Sequence, residues 1–579
     1  MAFFEFDASH YLGNVRAVDT RRVNVHVNTD ENLRKARVGQ LVALALPGAV
    51  EEWLIGMIEK VIKTPVLEER TALEDISEND QSDVTLPRES VLNTVHLTLV
   101  GTVALTANNK PKFSRSLVQV PEIDGECHIL RDAQLQVFMG LLSAGGKTAH
   151  SLEIGRYAID ETATAYLDGN KLFQRHASLL GSTGSGKSWT VAAVLERAAE
   201  LPSANLIVFD LHGEYGEMSY ARHLRVPGPE ELGLSDSSLL FLPYWLLNAE
   251  ELQAMFIDRS EFNAHNQVMA FQDTVVTEKK KTLEALCETD VLNAFTLDSP
   301  IPFEIAEVVN ELNRVNTEMV PGSGGKEKQG PFYGQFSRLL VRLNSKISDK
   351  RYGFLFQAPE SEFEYGAMAA TMKRLMDYSE TGAQIKIIDF SEVPADILPV
   401  IVGLVARIIF QVQFWTNRGK RKPMALVCDE AHLYLPKKDG RNPVEQRAIE
   451  NFEKIAKEGR KYAVALLIVS QRPSDVSPTI LSQCNNIIAL RLSNGDDQAT
   501  VKRLMPESLE GLMDTLPILD IGEALVVGDA VLLPSRIRIH PPKEKPLSAT
   551  VDFWDEWSKQ PDAPDFSESV ENMRRQNRT

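Results

Sequence analysis

Gly181-Ser-Thr-Gly-Ser-Gly-Lys187-Ser188 sets a glycine-rich turn, a lysine and a hydroxyl at the spacing GxxxxGK[ST]. It follows the apolar run ASLL (177–180) and precedes WTVAAVLERAAE, whose apolar residues recur at helical spacing. In that strand–loop–helix context, backbone N–H groups and a helix N-terminus cradle a β-phosphate. The nucleotide-binding residues are therefore Gly181, Ser182, Thr183, Gly184, Ser185, Gly186, Lys187 and Ser188. Lys187 can reach the β- and γ-phosphates, and Ser188 can hold Mg2+. The flanking strand and helix argue against a chance match in a glycine-rich turn.

A second apolar run, Met424-Ala-Leu-Val-Cys, ends in Asp429-Glu430-Ala-His. A carboxylate at a strand tip suits a magnesium ion, and its neighbour can polarise an attacking water. Asp429 is assigned to the metal and Glu430 to general-base duty. A third run, VALLIVS (464–470), ends in Gln471-Arg472-Pro473, where Gln471 can touch the γ-phosphate or the water; a plain turn residue is the alternative. The run NLIVFD (205–210) ends in Asp210-Leu-His-Gly-Glu-Tyr215. Asp210 and Glu214 either approach the metal, couple nucleotide to the neighbouring subunit, or cap and solvate a loop. The helix EQRAIENFEKIAKEGRKYAVA ends with Arg460 and Lys461, cations that suit its dipole. Arg460 can instead serve as an arginine finger in a neighbouring subunit's site, and Arg175 is a second candidate.

The elements that must position these residues are of two kinds. Residues 1–110 read as short alternating strands such as RVNVHVN (22–28) and NTVHLTLVGTVAL (93–105), a small barrel or sandwich. From about residue 170, strands alternate with helices, also including LLFLP (239–243), IKIIDF (385–390) and NIIALRL (486–492). That pattern predicts an α/β domain on a mostly parallel sheet. Residues 245–380, with the glycine-rich PGSGGKEKQGP (321–331), read as a helical insertion. The expected domains are thus a barrel at 1–110, a connecting segment at 111–170, a motor at 171–540 and a tail at 541–579. The tail is either an arm across another subunit or a frayed end.

The chain has 579 residues, 43% hydrophobic and 25% charged, a composition that excludes a collagen-like or wholly disordered chain. The four cysteines are scattered without metal or disulfide spacing, so a reducing, cytoplasmic setting is expected. The run Ile397–Trp415 is interrupted by Arg407 and two glutamines, and is expected to be a buried helix and not a membrane span. Eighty acids against 62 bases give a net charge of −18. The balance is uneven: residues 66–90 carry eight acids and two arginines, whereas residues 410–475 carry thirteen bases and eight acids. Lys437, Lys438 and Arg441, and the run Gly419-Lys-Arg-Lys422, are candidate DNA-phosphate contacts or solvated turns.

Taken together, HASLLGSTGSGKS, DLHGEY, VCDEAH, EGRKY and SQRPS, in this order behind a β-rich N-terminal region, resemble the HerA-type ATPases, relatives of the FtsK motors. The likeness runs collinearly over residues 5–540, with looser spacing in the inserted region. It implies an N-terminal barrel of the HAS type and a RecA-like motor assembled as a homohexamer around double-stranded DNA. ATP and Mg2+ are the implied cofactors, with Lys187, Glu430, Gln471 and Arg460 acting in hydrolysis. It further implies a partner on the barrel, either a nuclease (NurA in archaea) or a sirtuin-like NADase, in DNA end processing or anti-phage defence. A secretion or coupling pump of the same motor class is a second reading. A nucleotide-gated ring scaffold that activates an effector is a third.

Overall fold

The computed structural model describes residues 3–46, 52–67, 89–106, 110–117, 119–234, 236–321, 326–376, 385–437, 443–506, 509–548, 552–559 and 566–575. The acidic stretch expected as a solvated loop lies almost wholly outside these residues, as do Lys438 and Arg441. The chain forms two compact units. One comprises Met1–Leu172, Leu180–Lys187 and Asn485–Pro541; the other comprises Phe173–Leu179, Ser188–Cys484 and Pro542–Thr579.

The first unit begins with β1 (Tyr11–Asp19), β2 (Arg22–His26), β3 (Leu41–Ala45), β4 (Trp53–Leu67), β5 (Glu89–Leu105), β6 (Pro111–Ser114) and β7 (Glu126–Ile129). Their order is β2-β1-β7-β3-β4-β5-β6, and β5 also pairs with β2 through Val23↔Leu97 and Val25↔Val95. Six strands therefore close into a barrel, with β6 added outside on β5. Closure leaves no open edge between the six, and the period-two pattern dictates what fills the inside. Val23, Val25 and Val27 are buried, while Arg22 is exposed and Asn24 and His26 are only half-buried. Leu12, Val15, Leu44, Leu54, Leu97 and Ile129 complete that core. Each such side chain contributes roughly 1.5–3 kcal/mol relative to exposure. The helix Asp132–Gly146 and the hairpin of β8 (Ser151–Tyr157) and β9 (Asp160–Asp168) follow.

The second unit contains β10 (Ala177–Leu180), β11 (Leu206–Asp210), β12 (Ala221–Arg225), β13 (Met319–Pro321), β14 (Glu327–Gln329), β15 (Ile385–Asp389), β16 (Met424–Cys428) and β17 (Val464–Ser470). The sheet runs β12-β15-β11-β16-β17-β10, with β12, β15, β11, β16 and β17 parallel. Every residue of β16 and β17 is buried, which is why these strands read as unbroken apolar runs. LLFLP is not a strand: it makes one bridge, Leu239 to Arg225, and Pro243 then leads into a 3-10 turn at Tyr244–Leu246. The edge strand is instead ARHLR, too charged to stand out.

Between β12 and β15 stand the helices Ala249–Phe256, Ala264–Ala285, Ile305–Thr317, Ser337–Ser348 and Ala367–Met376. β13 and β14 form a short ribbon flanking the glycine-rich stretch, whose residues 322–325 lie outside those described. Among the described residues one helix, Leu398–Trp415, is long and apolar enough to cross a membrane, and 72% of it is buried in the protein. Its interrupting Arg407 is buried as well, held by Glu251 at 2.7 and 2.8 Å and by the Leu246 carbonyl at 2.7 Å. The same Glu251 accepts from Asn451 on the helix Pro443–Glu458 and forms a capping box with Asn248.

The chain returns to the first unit as β18 (Asn486–Ala489), β19 (Glu523–Val527) and β20 (Ser535–Ile539). NIIALRL thus joins a set ordered β18-β19-β20-β8-β9, antiparallel at β18–β19, β19–β20, β20–β8 and β8–β9. The tail, in the second unit, starts as a strap. Lys543 N–H donates to Glu196 at 2.7 Å, Leu547 N–H donates to the Glu214 carbonyl at 2.7 Å, and Ser219 bonds Glu544. Two short exposed helices follow, Phe553–Ser558 and Ser567–Arg575.

Candidate nucleotide site

In the first unit, the phosphate loop is built by close approach. A Cβ on Gly181 would lie 2.5 Å from Ser185 Oγ and 2.9 Å from Leu490 Cβ. Gly186 stands at φ +99°, in the region that favours glycine, and a Cβ there would meet the Gly522 backbone at 3.2 Å. Ser182 N–H donates to the Arg491 carbonyl at 2.9 Å, and Gly522 N–H to the Ser185 carbonyl at 3.1 Å. The loop shape is therefore fixed by contacts within the protein. Ser185 Oγ is buried without a hydrogen bond, a polar atom whose burial a phosphate oxygen would offset. Lys187 is buried and opens the helix Lys187–Ala199, with Ser188 in its first turn. Thr183 and Gly184 are exposed at the loop's crown.

In the second unit, the tips of two adjacent parallel strands meet. Asp429 follows β16, and its Oδ1 accepts the Glu430 N–H at 2.9 Å. Glu430 is 4% exposed and adopts φ 44°, ψ 43°, a left-handed conformation uncommon for a residue with a Cβ. Gln471, just past β17, donates its amide N–H to Glu430 Oε1. The structure thus brings Asp429, Glu430 and Gln471 into one cluster. The strand tips run on as a short ladder: Lys437 N–H donates to the Asp475 carbonyl at 2.8 Å, and Ser477 N–H to the Leu435 carbonyl at 2.9 Å.

Asp210 caps its own turn. Its carboxylate accepts from the N–H groups of His212 at 3.2 Å, Glu214 at 3.1 Å and Tyr215 at 2.9 Å. Burial pushes this carboxyl up, and the three donors pull it down. The turn delivers a residue that motif reading passed over: Tyr215, wholly buried, donates its hydroxyl to Asp429 Oδ2 at 3.1 Å. Burial raises the Tyr215 hydroxyl well above its usual range, so it stays a donor. Hydroxyl and carboxylate oxygens, from Ser188 and Asp429, are the donor set that Mg2+ takes alongside water. Magnesium so held would neutralise phosphate charge. Glu430 and Gln471 present a carboxylate and an amide side by side, a pair chemically able to hold a water.

Arg460 lies elsewhere. It is exposed on the turn Gly459–Tyr462, before the first residue of β17, whereas Gln471 follows the last. A seven-residue strand puts the two roughly 20 Å apart. Arg175 is half-buried, directly before the buried His176. Lys437 is exposed and 4.0 Å from Asp475. The run at 419–422 is not uniformly outward: Arg421 bonds the carbonyls of Gln413, Thr416, Phe414 and Lys461 and lies 4.8 Å over the Tyr462 ring. Lys420 and Lys422 are exposed.

A glycine loop opening a helix, together with an acid pair at the tip of a buried parallel strand, defines a RecA-like P-loop ATPase. Residues 152–409 match the family described as Helicase HerA, central domain, the family that the chain's motifs resemble. It is 27% identical to the DNA double-strand break repair helicase HerA of Pyrococcus furiosus over 428 residues, 68% of this chain and 70% of that one. It is also 27% identical to a probable DNA double-strand break repair helicase HerA of Methanocaldococcus jannaschii, over 68% of this chain and 76% of that one. A solved VirB4 structure from Thermoanaerobacter pseudethanolicus aligns with 68% of this chain and 97% of its own, at 17% identity and a TM-score of 0.47.

Proposed function

We propose that the protein is a homohexameric ring that spends ATP to move double-stranded DNA through its central pore. The observation that carries this reading is the separation inside the second unit: Glu430 and Gln471 meet at one end of β17, and exposed Arg460 stands at the other. An arginine at the far end cannot serve its own subunit's acid pair. It can serve a neighbour's, which makes hydrolysis depend on a ring. Lys187 and Ser188 bind the phosphates and magnesium, Asp429 completes the metal site, Glu430 activates the water, and Gln471 reads the γ-phosphate. Arg460 neutralises transition-state charge in trans, with Arg175 as an auxiliary cation. Lys437, Lys438 and Arg441 are the proposed DNA contacts. The DNA substrate is supported by the relatives, which are named as DNA double-strand break repair helicases.

The reading extends to a partner that supplies an effector activity. A nuclease or a sirtuin-like NADase, docked on the closed barrel, would place the protein in DNA end processing or anti-phage defence, in the cytoplasm. The test is ATP hydrolysis with and without duplex DNA, plus strand displacement, for the wild type and Glu430→Gln. DNA-stimulated turnover and displacement, both lost in Glu430→Gln, are expected. DNA-independent turnover with no displacement would overturn the motor and favour a ring scaffold with hydrolysis as its reset.

A further inference from the structure

One carboxylate oxygen of Glu430 is hydrogen-bonded, and the other is approached by a histidine at ion-pair distance. Its Oε1 accepts from Gln471. Its Oε2 lies 3.3 Å from Nδ1 of His432, the last residue of the Asp-Glu-Ala-His run. The same Nδ1 lies 3.4 Å from Oγ of Ser470, the fully buried final residue of β17. A carboxylate can only accept, so a favourable contact requires the proton on the Nδ1 that faces it. Ser470 Oγ in turn accepts the Arg472 N–H at 3.1 Å, which orients that hydroxyl beside the ring. Gln471 thus bonds the carboxylate directly, and the His432 nitrogen faces its other oxygen with Ser470 Oγ alongside.

We propose that His432 is a positioning residue for the hydrolytic reaction. Donating from Nδ1, it holds the second oxygen of Glu430 so that the carboxylate plane stays fixed relative to Gln471. The left-handed backbone at Glu430 sets where the side chain leaves the strand, and the two contacts set where its oxygens end. The inference rests on Glu430 as general base and adds the group that aims it.

The test uses the full chain, steady-state ATP hydrolysis, and equilibrium binding of a fluorescent ATP analogue. His432→Leu keeps bulk and removes the donor, and His432→Asn returns an amide N–H near the position of Nδ1. His432→Leu is expected to lower kcat about 10- to 100-fold, the range that loss of an orienting partner brings, with KM and analogue affinity within about two-fold of wild type. His432→Asn is expected to recover most of that loss. Unchanged kcat in His432→Leu beside an inactive Glu430→Gln would overturn the positioning role and leave the general base standing. Equal loss in the Leu and Asn variants, accompanied by lost analogue binding, would mean a structural role and would also overturn it. Persisting turnover in Glu430→Gln would overturn the general-base reading and this proposal with it.

Discussion

The buried Tyr215 hydroxyl donates to Asp429 Oδ2 at 3.1 Å, joining two motifs that lie 214 residues apart. A hydrogen bond behind a metal-binding carboxylate orients it, and losing such a bond costs about 10- to 100-fold in metal affinity or activity. Tyr215→Phe removes the hydroxyl and keeps the ring. A magnesium titration of ATPase activity should show a raised magnesium requirement, with nucleotide affinity in the absence of magnesium unchanged.

Arg460→Ala should keep nucleotide binding and lose about 10³-fold or more in turnover, the lower end for an arginine finger. Mixing it with wild-type chains checks the direction of action. A steeper-than-proportional fall in activity is expected if one subunit's Arg460 serves the next, and a strictly proportional fall would count against it.

Arg407 and Glu251 form a buried pair, at 8% and 2% side-chain exposure. Removing one partner strands the other charge out of water, which costs about 3–5 kcal/mol. Arg407→Met should lower the denaturant midpoint accordingly. The double change with Glu251→Leu should recover part of the loss, because the stranded carboxylate is then gone too.

His176 is buried at φ +51°, and its Nδ1 accepts the Leu466 N–H at 2.9 Å. Burial depresses the imidazole to about 4, from 6.5. Its folded form therefore binds fewer protons than its unfolded form between those values, so the stability it contributes is complete above pH 6.5. That stability is lost as pH falls through 6.5 toward 4, a difference of about 3 kcal/mol. His176→Asn keeps an acceptor and tolerates the backbone. Unfolding curves across this range should flatten relative to wild type.

The phosphate loop and the acid pair were legible because their chemistry demands contiguous residues between a strand and a helix. The barrel was legible in RVNVHVN because closure imposes a period of two. Other features depend on where distant segments meet. Nothing local to DLHGEY says that its tyrosine is aimed at Asp429. ARHLR could not be told from a loop, because an edge strand tolerates charge, and LLFLP was apolar because it is buried, not because it is paired. Arg407 read only as a break in an apolar run until Glu251, from the insertion, stood against it. Arg421 read as one cation among several, and it is the clamp between the end of one helix and the turn that carries Arg460.

Leu435 and Lys437 are bonded to Ser477 and Asp475, so the segment leaving the acid pair and the segment leaving Gln471 form a single splint. Main-chain bonds tie these two segments together just past the strand tips. They link Gln471 to Lys437 through a few residues of paired backbone. A motor of the proposed kind would therefore carry its γ-phosphate reader and its DNA contact on one joined piece of backbone.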